Sequence, residues 1–289
     1  MEKQTILILN FGGQYCQLIA RRIRELNVYC EILPYDTPIE KIKAYKPMGM
    51  ILSGGPASVH VDNAPVCQKE IFDLGIPVLG ICYGMQLMTM MLGGKVKKAE
   101  AREYGKANVN LVDCALFSGL PKKTQCWMSH GDQVDSIPEG FKRIAYTDNC
   151  GIAGIMDASG KLYGVQFHPE VTHTPLGKEI LRRFVIDICG CAGDWTIKSF
   201  IEESVENIRR EVGSGSVLLA LSGGVDSSVT AALLNRAVGD KLTCVFVDHG
   251  LLRKNEANEI IEYFSKKEGI RLIALDRRAR FLDKLAGVT

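Results

Sequence analysis

The segment GICYGMQLM, residues 80–88, contains a cysteine that lies between two glycines. The pattern Gly-Ile-Cys-Tyr-Gly, centred on Cys82, matches the Gly-x-Ser-x-Gly nucleophile elbow with cysteine in place of serine. An apolar run precedes Cys82 and a helical pattern follows it. We therefore expect the thiol at a helix N-terminus, where the helix dipole favours the reactive thiolate. A buried cysteine that only fills space is the alternative.

A histidine and a glutamate in QFHPE are candidates for the base and its orienting group. We expect His168 and Glu170 on a strand, where side chains two residues apart share a face. Pro169 keeps His168 extended. An isolated His-Pro-Glu is typical of a loop histidine beside a solvated glutamate. Together with an elbow cysteine, it favours nucleophilic catalysis.

Thiolate attack on a carbonyl also needs donors for the negative charge that develops on oxygen. The SGGPASV turn after the predicted strand 49–52 offers the backbone N–H groups of Gly54 and Gly55. The N–H of Tyr83, directly after the nucleophile, is the second donor expected of an elbow.

A second glycine loop, LALSGGVDSSV at residues 219–229, follows a predicted strand and opens a predicted helix. Backbone N–H groups in this setting can bind phosphate. The loop lacks the Gly-Lys-Ser/Thr ending of a Walker A motif. A helix cap followed by a packed glycine turn is the alternative.

Apolar runs alternate with helical patterns in the first part of the chain, which predicts an α/β fold with a parallel sheet. After about residue 105, short strands predict a partly antiparallel region that a helix closes. We place a domain boundary near residue 192, giving domains 1–191 and 192–289. The predicted strands are 5–10, 49–52 and 77–81, and the predicted helices include 17–27 and 176–189.

Composition excludes several classes of protein. The 289 residues carry a formal net charge of only +2, so we expect no nucleic-acid partner. No apolar run approaches the ~18 residues of a membrane span, so we expect no membrane association. Ten cysteines in a chain of this length are interpreted as mostly reduced thiols, which predicts a cytoplasmic protein.

The motifs GGPASV, GICYGMQLM, SHGD and VQFHPE, in this order, resemble the class I glutamine amidotransferases over roughly residues 5–189. The resemblance implies a flavodoxin-like fold that hydrolyses glutamine to glutamate and ammonia. It implies that Cys82 forms a glutamyl thioester, His168 relays protons and Glu170 holds the imidazole. The further site residues that it implies are Gly55 and Tyr83 for the oxyanion hole, and Gln86 and an expected turn over SHGD, that is Ser129, His130, Gly131 and Asp132, for glutamine binding.

The SGGVDSS loop resembles the pyrophosphate loop of the N-type ATP pyrophosphatases, which split ATP into AMP and pyrophosphate. This implies a Rossmann-like ATP domain, with Asp226 holding Mg²⁺ and Val247 at the adenine. The residues implied to bind ATP or pyrophosphate are Ser222, Gly223, Gly224, Val225, Asp226, Ser227, Ser228 and Val247.

Together the two sites resemble a family of ligases in purine biosynthesis. These ligases use glutamine and ATP to aminate xanthosine 5′-monophosphate, giving GMP. With only about three strands predicted after residue 192, we expect a truncated chain. It would lack the C-terminal region that binds the nucleotide substrate and forms a homodimer in that family. A glutaminase that feeds another adenylating synthetase, such as one making NAD, is the enzymatic alternative. A binding module that senses glutamine without turnover is a third hypothesis.

Overall fold

The computed structural model describes residues 4–288, together with their side chains except those of residues 100–102. The chain divides after Trp195 into two compact units. We call them the N-terminal unit and the C-terminal unit and describe each by itself. The domain assignments made from the sequence remain predictions.

The N-terminal unit is built on one sheet of nine strands. Its strands are β1 (Thr5–Asn10), β2 (Tyr29–Pro34), β3 (Gly49–Leu52), β4 (Val78–Ile81), β5 (Lys95–Leu111), β6 (Lys123–Ser136), β7 (Phe141–Tyr146), β8 (Gly154–Asp157) and β9 (Leu162–Val165).

Strand order across this sheet is β2-β1-β3-β4-β9-β8-β7-β5-β6. The first five strands in this order run parallel, and the remaining pairs are antiparallel. The central parallel strands β3 and β4 are completely buried. Their uniformly apolar sequences follow from this, because a parallel sheet is covered on both faces.

Side chains of β1 alternate between two apolar cores, one on each face of the sheet. Ile6 and Ile8 lie in one core, and Leu7 and Leu9 lie in the other. The strand period of two residues produces this division. The sheet is thus held rigidly between two packed layers, and its strand ends provide fixed positions for a site.

The helices of the whole chain are α1 (Cys16–Arg24), α2 (Ile39–Ala44), α3 (Tyr83–Met91), α4 (Gly177–Arg182), α5 (Ile197–Val212), α6 (Val225–Val238), α7 (Glu256–Glu262) and α8 (Arg278–Leu285). Short 3₁₀ turns occupy Lys69–Asp73, Ala115–Phe117 and Gly239–Lys241, and π turns occupy Arg183–Ile188 and Tyr263–Lys267. The helix expected over 176–189 is therefore α4 continued by a π turn. Among the described residues, no helix has the length and apolarity needed to cross a membrane.

The C-terminal unit holds a smaller parallel sheet of β10 (Val217–Ala220), β11 (Leu242–Asp248) and β12 (Arg271–Asp276), in that order. Its core lies on one side, where Cys244 and Phe246 of β11 pack with Ile260 and Phe264. In contrast, Leu218 of β10 is 74% exposed.

Candidate active site

Cys82 lies on the sharp turn between β4 and α3, as the elbow pattern predicts. Its backbone has φ +51° and ψ −107°, a conformation that non-glycine residues rarely adopt and that marks strain at functional sites. The Cys82 N–H donates to the carbonyl of Val165, at the end of β9, over 2.8 Å. The thiol is therefore presented at the carboxyl edge of the parallel strands.

The two elbow glycines are required by close backbone approaches. A Cβ atom at Gly80 would lie 2.6 Å from the N atom of Met85, and one at Gly84 would lie 2.4 Å from the carbonyl oxygen of Leu52. Both distances are far inside van der Waals contact, so a side chain at either position would displace α3 from the sheet.

His168 does not lie on a strand, and the prediction that placed it there is wrong. β9 ends at Val165, because the His168 N–H donates to the carbonyl of Trp127 at 3.0 Å and leaves the β9 ladder. The Thr174 hydroxyl donates to the His168 carbonyl at 2.6 Å. These two bonds hold His168 in the loop after the strand.

Glu170 lies beyond His168 and is fully buried. Its Oε1 accepts a hydrogen bond from His168 Nδ1 at 2.7 Å, and the Arg22 guanidinium donates to its backbone carbonyl at 3.0 Å. A proton on Nδ1 leaves the other ring nitrogen free to face the thiol. Glu170 was predicted on the His168 strand, but it lies in the same loop, so the loop conformation brings the two side chains together.

The pKa of His168 is raised well above its usual value. Burial alone would lower this pKa, but the charge of Glu170 and hydrogen bonds with Cys82 and Glu170 outweigh the effect of burial. The three residues thus have the arrangement that a nucleophile, a base and an orienting carboxylate need for covalent catalysis.

Gln166 is a neighbour of the thiol that sequence reasoning missed. Its Nε2 lies 3.6 Å from Cys82 Sγ, and the thiol also contacts the carbonyl of Ser129 at 3.7 Å. Gln166 is completely buried. Its position two residues before His168, in the same VQFHPE motif, is the signal that could have identified it.

The predicted oxyanion donors lie beside the thiol. Gly54 is so close to the site that a Cβ atom there would lie 3.1 Å from His168 Cε1 and 3.7 Å from Cys82 Cβ. The Tyr83 hydroxyl donates to the carbonyl of Pro65 at 2.7 Å, and burial raises the pKa of Tyr83 to about 12. Tyr83 thereby anchors the first turn of α3, whose backbone N–H groups have no helical partner.

A cavity of about 650 Å³ opens above Cys82 and His168. Its walls include Gly55 of the predicted oxyanion hole and the residues that the resemblance assigned to glutamine binding: Gln86, Ser129, His130, Gly131 and Asp132. Glu170 and Tyr83 are not among the lining residues. Residues lining the cavity that sequence reasoning did not single out include Gln14, Tyr15, Lys98 and Tyr104.

The Ser129–Asp132 segment was described from the sequence as a turn, and that description is wrong. It lies inside β6, which pairs antiparallel with β5 on both sides of a shift in register, with Ser129 opposite Tyr104, His130 opposite Glu103 and Asp132 opposite Lys98. The side-chain amide of Gln86 donates to the carbonyl of Asp132 at 2.8 Å. This bond ties α3 to β6 across the cavity.

Tyr15 places its ring edge-on to His168, with ring centroids 5.3 Å apart. It precedes α1 directly and helps to enclose the imidazole. Nothing in the local pattern of its segment distinguishes it from an ordinary helix-preceding aromatic residue, so only the fold reveals this contact.

The predicted phosphate loop of the C-terminal unit links β10 to α6. Gly223 has φ +84°, and a Cβ atom there would lie 2.2 Å from Ile260 Cδ1. The hydroxyls of Ser222 and Ser227 are 3.0 Å apart, and Gly224 N–H donates to Ser222 Oγ at 3.3 Å. The loop is solvent-exposed over most of its length, and the first N–H groups of α6 have no helical partner.

The residues predicted to bind ATP around this loop differ in exposure and in hydrogen bonding. Asp226 stands in the first turn of α6 with its side chain exposed. Ser228 turns its hydroxyl back to the Gly224 carbonyl at 2.7 Å. Val247 is half-buried near the end of β11. In an open parallel sheet, ligands bind beyond the carboxyl ends of the strands, where the loop and the end of β11 both lie.

Family models match both units. The model for glutamine amidotransferase class-I matches residues 7–188, and the model for NAD synthase matches residues 196–273. The first match contains the elbow, the cavity-lining residues and the His-Pro-Glu loop. The second contains the phosphate loop.

Curated relatives match the chain over its full length. It is 58% identical to a GMP synthase [glutamine-hydrolyzing] of Acetivibrio thermocellus over 290 residues and 56% identical to one of Clostridium tetani. Each alignment covers 100% of this chain and 57% of the relative. The chain therefore spans little more than half the length of these relatives.

Solved structures resemble about two thirds of the chain. A structure described as that of a GMP synthase subunit from Thermoplasma acidophilum has a TM-score of 0.60 and 32% identity, covering 66% of this chain and 96% of that one. A glutamine amidotransferase of Thermotoga maritima, at 20% identity, has a TM-score of 0.55 and covers 66% of this chain and 100% of its own. The latter supports the fold alone. With the family matches, these structures confirm the predicted fold class: a class I amidotransferase fold followed by a short Rossmann-like parallel sheet.

Proposed function

Because the chain belongs to the class-I glutamine amidotransferase family, we propose that it forms the glutamine-hydrolysing part and part of the ATP site of a GMP synthase. The buried triad at the base of a cavity carries this proposal for the first half-reaction. The similarity to GMP synthases along the whole chain supports the second.

Glutamine hydrolysis proceeds through a thioester on Cys82. The thiolate bonds to the side-chain carbonyl carbon of glutamine, and the carbonyl π electrons move onto oxygen. Collapse of this intermediate breaks the C–N bond, and ammonia leaves with a proton from His168. Water then attacks the thioester, with His168 accepting a proton of the water. Glutamate and the free thiol are the products.

Glu170 and the backbone donors support these steps. Glu170 keeps the proton on His168 Nδ1 and stabilises the imidazolium. The N–H groups of Gly55 and Tyr83 hold the oxyanion, each contributing about 2.7–4 kcal/mol in comparable sites.

The substrate glutamine occupies the cavity above the thiol. Gln86 and the cavity-lining stretch of β6 contact it, and they are held in register by the Gln86 bond to the Asp132 carbonyl. The residues assigned to this role are Gln86, Ser129, His130, Gly131 and Asp132.

The C-terminal unit binds ATP. The N–H groups and hydroxyls of the loop hold pyrophosphate, and Val247 contacts the adenine. The hydroxyls of Ser222 and Ser227, 3.0 Å apart, and the exposed Asp226 carboxylate fit a magnesium-bound triphosphate. Mg²⁺ there would neutralise phosphate charge. The residues assigned are Ser222, Gly223, Gly224, Val225, Asp226, Ser227, Ser228 and Val247.

In the whole protein, ATP adenylates a carbonyl oxygen of xanthosine 5′-monophosphate and releases pyrophosphate. Ammonia then displaces AMP to give GMP. Cytoplasmic location and a homodimer complete the proposal. The former is supported by ten cysteines, none of which forms a disulfide. The latter rests on the sequence resemblance alone.

A synthetase that makes NAD is a second candidate, because the NAD synthase model matches the C-terminal unit. The relatives that match both units together are GMP synthases, and this favours amination of xanthosine monophosphate.

Glutamate release by this chain, with and without ATP and xanthosine monophosphate, tests the first half-reaction. GMP formation by the protein that carries the chain tests the second. Absence of glutaminase activity would contradict the triad assignment. NAD formation without GMP would favour the second candidate.

A further inference from the structure

Three buried side chains of different chemistry converge behind the glutamine cavity. Glu103 of β5, His130 of β6 and Cys150 in the loop after β7 are 7%, 4% and 0% exposed. One carboxylate oxygen, one imidazole nitrogen and the thiol sulfur all lie within 4.8 Å of one another. Neither the thiol nor the carboxylate has a role in the proposed hydrolysis.

The imidazole of His130 is aimed into this cluster, with one ring nitrogen facing Glu103. Its Nδ1 lies 3.0 Å from the Asp132 carbonyl. A carbonyl only accepts, so Nδ1 must carry a proton. Nε2 is buried without a hydrogen-bond partner, although it lies 3.3 Å from Glu103 Oε2.

The separation of these donors suits a tetrahedral ion. Two ligand atoms at about 2.0–2.1 Å from a tetrahedral zinc ion lie about 3.3 Å apart, and Nε2 and Oε2 are 3.3 Å apart. The thiol sulfur lies within 4.8 Å of an imidazole nitrogen and a carboxylate oxygen of the cluster, and a zinc–sulfur distance of about 2.3 Å would place it about 3.6 Å from each.

The surroundings of the cluster match those of a metal site. A histidine that binds a metal commonly donates its other N–H to a backbone carbonyl, as His130 does. Thr147 donates to Glu103 Oε1 at 3.1 Å and accepts from the Cys150 N–H at 2.9 Å. One hydroxyl thereby orients two of the three donors.

We propose that Glu103, His130 and Cys150 form a binding site for a zinc-class divalent cation beside the glutamine cavity. A carboxylate and a thiolate balance the two charges of the ion, so that the buried site is neutral when filled. The mixed N, O and S donor set is one that Zn²⁺ accepts and that Mg²⁺ and Ca²⁺ do not favour.

Cobalt is the probe, because Co²⁺ bound to a thiolate gives a strong near-ultraviolet charge-transfer band. The titration uses the chain with Cys82→Ser, so that the catalytic thiol contributes no band, and a phosphine reductant that binds metals weakly. We expect a band that saturates at one Co²⁺ per chain, and loss of the band when Zn²⁺ is added.

Adding Cys150→Ser should abolish the band. Cys126→Ser, which removes another buried thiol of the same sheet, is the matched control and should retain it. Glu103→Gln keeps the thiol but removes a ligand, and should weaken Co²⁺ binding about tenfold or more. If circular dichroism shows that Cys150→Ser does not fold, the Co²⁺ affinity of Glu103→Gln tests the site instead.

Absence of a charge-transfer band in the Cys82→Ser chain would overturn the proposal. So would a band that is equally strong in folded Cys150→Ser, or one that is lost in Cys126→Ser alone. These results leave the glutaminase proposal intact, because the metal titration does not depend on turnover.

Discussion

The two sites of the chain differ in how their reactive groups are held. In the N-terminal unit the triad is enclosed, with Cys82 and His168 each 5% exposed and Glu170 fully buried. In the C-terminal unit the phosphate loop is open, and Val225 at the start of α6 is 79% exposed. The triad of the first site comes from two separate segments, the elbow and the loop after β9, and the second site from one continuous turn.

This difference fits the chemistry proposed for each site. A covalent step needs a nucleophile, a proton carrier and an oxyanion site positioned within fractions of an ångström. A triphosphate carries enough charge to bind to backbone N–H groups at a helix start. A single substitution at the site should therefore have a large effect in the N-terminal unit and a small effect in the C-terminal unit.

Cys82→Ser is expected to have the largest effect, because no other group can form the thioester. Glutamine turnover should fall by roughly 10⁴-fold or more, while ATP binding by the C-terminal unit, measured by calorimetry, stays unchanged. Peptide mass spectrometry should locate the adduct of a glutamine-analogue electrophile on Cys82 of the unsubstituted chain. An adduct on Cys114, the half-exposed thiol that serves as the internal control, would refute the assignment.

Glu170→Gln should reduce turnover by about 10²–10³-fold, less than His168→Ala, because the carboxylate orients the base but does not move the proton. Loss of its charge should also shift the titration of His168, followed by NMR, to lower pH. Equal losses in the two variants would mean that Glu170 does more than orient.

The same pair makes folding stability depend on pH. The pKa of His168 is raised in the folded protein. The stabilisation it brings is therefore complete below the unfolded pKa of about 6.5 and is lost as pH rises through the raised value. The difference in free energy of unfolding between the unsubstituted chain and Glu170→Gln should shrink as pH rises. Urea titrations at several pH values measure it, and a difference that grows with pH would contradict the ion pair.

Glycines of the two sites should respond differently to alanine. At Gly84 the added Cβ meets the Leu52 carbonyl at 2.4 Å, whereas at Gly224 it meets only Ser222 Oγ, at an ordinary 3.5 Å. Gly84→Ala should lower the free energy of unfolding by about 1–3 kcal/mol, and Gly224→Ala should change it by less than about 0.5 kcal/mol. Denaturant unfolding measures both, and comparable losses would undermine the contrast.

Asp226→Asn should have the smallest effect on the chain as a whole. We expect about a tenfold loss of Mg²⁺-dependent ATP affinity, or about 1.4 kcal/mol, with glutamine turnover within twofold of the unsubstituted chain. Asp240→Asn, at an acidic residue just beyond α6, is the control. Unchanged ATP affinity in Asp226→Asn would count against the pyrophosphate loop.

Local sequence patterns predicted the structural features that depend only on residues close together in the chain. The elbow around Cys82, the parallel strands and the turn at Gly223 follow from glycine spacing and apolar runs that lie within one segment. Because these features involve only residues within one segment, the order of residue types in that segment is enough to predict them.

Features set by register between distant strands could not be predicted. The long pairing of β5 with β6 turned the expected Ser129–Asp132 turn into strand, and it placed Glu103 against His130. The loop position of His168 depends on a bond to Trp127, and no pattern near residue 168 specifies it. Gln166 likewise reaches the Cys82 thiol only because β9 lies beside β4.

That adjacency of β4 and β9 has a consequence for folding kinetics. Gln166 and Cys82 are 84 residues apart in the chain, and they meet only after this parallel pairing closes a long loop. Closure of this kind is entropically costly and slow. Reactivity of the Cys82 thiol toward a glutamine analogue should therefore return with the slowest phase of refolding. Partly folded chains should have no glutaminase activity until the sheet is complete.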